Sequence, residues 1–159
     1  MNEQADSANN SQQFLSFTIG SEEYGVDIMT VREIKGWQEI TRLPNTPDFM
    51  RGVMNLRGLI IPIFDLRMRF HHELTSASAK HVVIIMAMGE RNIGVLVDTV
   101  SDILDVASEQ IKPAPNADSD AKAAYINGLI SLENRMVVTL NVDHLFGSDH
   151  VEKDIKQIA

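Results

Sequence analysis

At 159 residues, 44% hydrophobic and 23% charged, the chain has an ordinary globular composition and the length to bury a core, as one domain or as two small packed lobes. A net charge of −8 argues against a nucleic-acid or anionic-membrane partner, and the absence of cysteine excludes disulfides and thiolate chemistry. No apolar run approaches the roughly 18 residues that read as a membrane span, and Met1 to Gln13 carry no secretion signal, so no direct membrane insertion is expected and the cytoplasm is the default compartment.

Residues 1–13, rich in Asn, Gln and Ser, read as a disordered leader. Phe14 to Ile19 follows as a strand, Gly20-Ser21-Glu22-Glu23 as a turn, and Tyr24 to Ile28 as the returning strand. From there the apolar spacing changes to Ile28, Val31 and Ile34, which fits a short helical turn or a bulged strand; the same residues suit either a core stripe or the lining of a groove between the lobes, where an amphipathic helix would bury its apolar face with Arg57 and Glu33 at the rim. Thr46-Pro47-Asp48 carries helix-start signals, and Gly52 is expected to close that single turn in the left-handed conformation.

Gly52 to Asp65 is the stretch around which the chain is organised. Two apolar segments, Val53 to Leu56 and Leu59 to Phe64, are joined by Arg57-Gly58, the pattern of a β-hairpin in which Gly58 supplies a positive φ and Arg57 stands as a lone cation at the tip. Pro62 cannot donate to a ladder, so this second strand is expected at an edge or at a bulge. Asp65 to Phe70 reads as a short helix, and 71–80 as a polar linker.

The second half repeats the first. His81 to Met88 and Ile93 to Leu96 form the next strand pair, and Gly94, Thr99-Val100 and Ile103 match Gly25, Thr30-Val31 and Ile34 at an offset of 69 residues. Gly128 to Leu132 matches Gly52 to Leu56 at an offset of 76, so an insertion lies between the two blocks, within the Pro-, Ala- and Asp-rich stretch 112–123. Two similar β-rich lobes of about five strands each follow from this, with Gly128 expected to close a turn as Gly52 does. Glu133-Asn134 replaces Arg57-Gly58, so the framework is shared while the Arg-Gly tip belongs to one half alone. The tail from Asp149 has a capping-box pattern and apolar residues at Val151, Ile155 and Ile158, which reads as a short helix.

For catalysis the sequence offers little: no phosphate loop, nucleophile elbow or metal spacing is present, and His71-His72-Glu73 reads as solvated linker. Asp98, Asp102 and Asp105 would share one face of a helix, but the apolar residues between them favour an exposed acidic face beside a core stripe over a carboxylate pair. No enzyme, cofactor or metal is expected.

Taken together, Phe14 to Ile34, Arg42 to Pro47, the Asn55-Leu56-Arg57-Gly58 hairpin, Ile93 to Asp105 and Glu109 to Pro115 resemble the CheW-like family of chemotaxis coupling proteins, in family order and spacing. The resemblance implies an all-β fold of two intertwined five-stranded β-barrels over residues 14–147. The first barrel would run over about 14–70 and the second over about 81–146, with strands free to exchange between lobes, and a short helix or tail at 148–159. It also implies a cytoplasmic, non-enzymatic adaptor, recruited to membrane-associated receptor arrays, that links methyl-accepting chemoreceptor tips to the regulatory domain of the histidine kinase CheA. By position, the receptor-binding residues would be Val31, Glu33, Ile34, Asn55, Leu56, Arg57 and Gly58, and the kinase-binding residues Val82 and Val83. The alternative is a coupling or regulatory domain cut from a larger two-component signalling protein.

Overall fold

The computed structural model describes residues 11–113 and 125–146. Most of the leader, most of the insertion and the C-terminal helix or tail lie outside the described residues. Among those described, 59% are strand and 14% helix, which places the chain in the all-β class.

The strands run in chain order as β1 (Ser11–Ile19), β2 (Glu22–Asp27), β3 (Val31–Gly36), β4 (Met50–Leu56), β5 (Leu59–Asp65), β6 (Val82–Met88), β7 (Arg91–Val97), β8 (Thr99–Ala107), β9 (Ile111–Lys112), β10 (Ile126–Leu132) and β11 (Arg135–Leu140). Two short helices, α1 (Leu66–His71) and α2 (Val142–Phe146), follow the β4–β5 and β10–β11 hairpins. One sheet has the order β3-β6-β7-β5-β4, hereafter the first lobe; the other, the second lobe, has the order β8-β1-β2-β11-β10-β9. Neither sheet is confined to residues 14–70 or to 81–146. Each half lends a hairpin to the other: β1 and β2 join β8, β10 and β11, while β6 and β7 join β3, β4 and β5.

Under the sequence repeat the two orders are the same list. β3 corresponds to β8, β6–β7 to β1–β2, and β5–β4 to β11–β10, with the parallel pairs β5–β7 and β2–β11 in equivalent places. The second lobe has a sixth strand because the two-residue β9 pairs with β10, where the first lobe has the single bridge Thr41–Val53.

The core has the same symmetry. Met54, Ile61 and Val83 fill the first lobe, and their repeat partners Ile130, Val137 and Phe14 fill the second. A larger cluster lies between the lobes, and there Phe64 of one half stacks on Phe146 of the other at 4.6 Å between ring centroids. At about 25 cal/mol per Å² of apolar surface this shared core couples the lobes, so neither sheet is a separable unit.

Several local expectations are corrected. β1 takes in Ser11 to Gln13, the last three residues read as leader, because backbone pairing with Asp105 to Ala107 of β8 needs no apolar side chains. Ile28–Thr30 forms one 3₁₀ turn capped by Asp27, and β3 follows with an irregularity between Val31 and Glu33, so both alternatives for this segment are realised in succession. No helix forms at Thr46-Pro47-Asp48; the amide of Met50 donates to the Pro47 carbonyl and closes a simple turn.

Gly52 and Gly128 terminate no helix either. Both lie in strands, just after irregularities in the ladder, where a neighbouring backbone passes very close. A Cβ on Gly52, whose φ is +148°, would stand 2.2 Å from the Thr41 carbonyl oxygen, and one on Gly128 would stand 2.7 Å from that of Lys112. Pro62 sits in β5, an interior strand. Its partner Val53 turns its own amide and carbonyl to Thr41, so the pair is a non-hydrogen-bonded one, and the parallel pairing with β7 begins only at Ile63. The missing N–H therefore leaves no gap in the ladder.

Candidate functional site

The β4–β5 hairpin closes on Leu56 opposite Leu59, leaving Arg57-Gly58 as a two-residue loop. Both residues have positive φ, +50° for Arg57 and +87° for Gly58, the arrangement whose twist matches that of the flanking strands. The Gly58 amide donates to Oδ1 of Asn55 at 3.0 Å.

Arg57 is not the lone cation that the sequence suggests. Its guanidinium reaches across to β3 and makes a bidentate pair with Glu33, at 2.7 Å to Oε2 and 3.3 Å to Oε1. β3 and β4 are the two edges of this sheet, so the pair links one edge to the hairpin beside the other. The Arg57 hydrogen bonds hold the Glu33 carboxyl below the usual carboxylate range. With the Arg57 side chain 71% exposed, the pair remains open to water and salt.

Exposed apolar residues adjoin it in the chain. Ile34 on β3 and Leu59 and Ile60 on β5 are each about half exposed, as are Ile103 and Met136, the second-lobe partners of Ile34 and Ile60. Leu59 and Ile60 were missed in the sequence because an apolar run in a hairpin reads as core; the available signal was the run Leu59-Ile60-Ile61, where consecutive residues must point to opposite faces. Ile28 and Val31 pack against the inter-lobe core, so the stripe Ile28, Val31, Ile34 is divided between core and surface.

Of the residues that the resemblance implies for the receptor, the structure brings Glu33 and Arg57 into contact and leaves Ile34, Asn55 and Gly58 exposed nearby in the chain. Val31 is half-buried, and Leu56 is buried in the first lobe's interior, where it supports the hairpin. The pair implied for the kinase fares differently. Val83 is fully buried and β6 is flanked by β3 and β7, so at this point only the half-buried Val82 has side-chain surface to offer.

The acidic trio does not share a helical face, because it lies along the β7–β8 connection and β8. Asp98 accepts bonds from the Gly20 amide and from Arg67, whereas Asp102 is bound by Ser16 and Arg135. His72, in the stretch read as solvated linker, caps the end of α1 in the left-handed conformation. Among the described residues no group of three His, Asp or Glu side chains converges as a metal site.

The strand-exchanged double lobe is matched by a crystal structure of the scaffolding protein TtCheW from Thermoanaerobacter tengcongensis. The TM-score is 0.79 at 30% identity, over 87% of this chain and 94% of that one. The model of the CheW-like domain matches residues 13–150, and the chain belongs to that family. Similar curated proteins include a chemotaxis protein CheW of Klebsiella aerogenes, 45% identical over 88% of this chain and 84% of its own length. Another, of Rhizobium meliloti, is 37% identical over 91% of this chain and 93% of its own.

Proposed function

We propose that the chain is a non-enzymatic chemotaxis scaffold that couples the cytoplasmic tip of a methyl-accepting receptor to the histidine kinase CheA. The observation that carries the reading is the first lobe's hairpin tip: an exposed, hydrogen-bonded Arg57–Glu33 pair with the exposed Ile34, Leu59 and Ile60 close to its members in the chain. Apolar side chains next to a charge pair suit an amphipathic helix, which buries its apolar stripe and meets the charges at its rim. Val31, Leu56 and Gly58 shape the surface from behind and at the tip. No helix among the described residues is long and apolar enough to cross a membrane, and in this reading the receptor brings the protein to the array.

Reconstitution tests the proposal. Receptor cytoplasmic fragments and CheA are mixed with and without this protein, and kinase activity is followed by phosphate transfer from ATP. Receptor control of the kinase should appear only in its presence; equal control in both mixtures would remove the scaffold reading.

A further inference from the structure

We propose that Asn55 is a positioning residue, whose carboxamide holds the hairpin tip in the left-handed form that aims Arg57 at Glu33 and at the docked partner. The inference rests on the receptor reading above and gives Asn55 an indirect role in place of the contact implied by the resemblance.

Arginine has no local side-chain bond to offset a φ of +50°, a conformation that asparagine, aspartate and glycine adopt far more readily. Two features hold it there. One is the bond from the Gly58 amide to Asn55 Oδ1 across the turn, the one hydrogen bond found for the Asn55 side chain among the described residues. The other is the bidentate grip of Arg57 on Glu33, which can form only if the turn presents the guanidinium toward β3. Hence the turn, the latch and the ion pair form one unit.

The second lobe shows what happens without the latch. Ser131 stands where the first lobe has Asn55, and the Glu133-Asn134 loop is not among the non-glycine sites of positive φ, which among the described residues are Asn45, Arg57 and His72. There the acid matching Glu33, Asp102, is reached by Arg135, two positions beyond the residue that matches Arg57. Left-handed tip and asparagine latch occur together in one lobe and are both missing from the other.

The test titrates a receptor cytoplasmic hairpin fragment against wild type, Asn55→Ala, Asn55→Asp, Arg57→Ala and the Asn55→Ala/Arg57→Ala double variant. Asn55→Ala should bind about tenfold more weakly, and Asn55→Asp, which keeps the acceptor oxygen, should bind within about twofold of wild type. The double variant should be no weaker than Arg57→Ala alone, since Asn55 acts through Arg57. Wild-type affinity in Asn55→Ala, single losses that multiply in the double variant, or a large fall in its melting temperature would each overturn the positioning role. If Arg57→Ala itself binds as wild type, the receptor reading fails, a result distinct from Arg57→Ala losing affinity while Asn55→Ala keeps it.

Discussion

The two hairpin tips occupy the same place in the same fold and have opposite fates. In the second lobe Arg135 binds both Glu23 and Asp102, and Asp102 is also held by Ser16, a buried residue on β1. In the first lobe the residue matching Ser16 is Ile85, which has no hydroxyl, so Glu33 relies on Arg57, with Lys35 at 3.8 Å as its other cation. The Arg135 side chain is 34% exposed against 71% for Arg57. In the proposed function, a repeat that keeps its apolar framework while tying down one charge pair and leaving the other open separates a structural clasp from a surface for a partner.

The caps that follow the hairpins extend the comparison and supply its largest test. Asp65 and Asn141 are repeat partners, and each caps the helix after it. Asp65, however, is wholly buried and also binds Arg51 and both the amide and the hydroxyl of Thr75, which fastens the polar linker to the first lobe. Asp65→Ala should therefore cost about 3 to 5 kcal/mol in chemical denaturation, because it strands a partly buried arginine and the Thr75 donors. Asn141→Ala should cost about 1 kcal/mol, the loss of a cap alone. Equal losses would mean that the linker contact contributes nothing.

The paired glycines come next. Gly52→Ala should destabilise by about 3 kcal/mol, since its φ and the Thr41 carbonyl both oppose a side chain, and Gly128→Ala by about 2 kcal/mol from crowding against Lys112. Thermal melts of the two variants would rank them. A Gly128→Ala protein less stable than Gly52→Ala would contradict this ranking, since Gly52 has both the positive φ and the closer approach.

Smaller effects separate the arginines. Arg135→Ala should lose about 1 kcal/mol of folding stability, whereas Arg57→Ala should melt with wild type. The Arg135 and Ser16 hydrogen bonds hold the Asp102 carboxyl below its ordinary value. A carboxylate depressed in the folded state stabilises above its unfolded pKa of about 3.9 and loses that contribution as pH falls through the folded value. The stability gap between wild type and Arg135→Ala should accordingly hold from pH 7 to about 5 and narrow below about pH 4, with the midpoint of urea denaturation as the measure.

Much of this pairing is visible in the sequence. The offsets of Gly25 to Gly94 and of Gly52 to Gly128 establish the repeat, and the contrast between Arg57-Gly58 and Glu133-Asn134 singles out the tip. Which copy each hairpin joins is not visible, because β1–β2 and β6–β7 present the same apolar pattern and either could complete either sheet. The role of Gly52 was misread because Thr46-Pro47-Asp48 is a strong local helix signal, while the Thr41 backbone that excludes a side chain is brought there only by the fold. The groove alternative puts Arg57 and Glu33 at one rim, but their direct bond is not legible, because sequence places the residues 24 positions apart and only closure of β3 toward the hairpin joins them.

The most direct test of the division between clasp and docking tip combines a melting curve of Arg57→Glu with its titration by a receptor cytoplasmic fragment. The substitution places the second lobe's tip charge on the first lobe, beside Glu33. Melting within about 2 °C of wild type, together with affinity reduced at least thirtyfold, is the predicted result. A folded variant that binds the fragment with wild-type affinity, or one that loses its fold, would contradict the assignment of Arg57 to the partner surface.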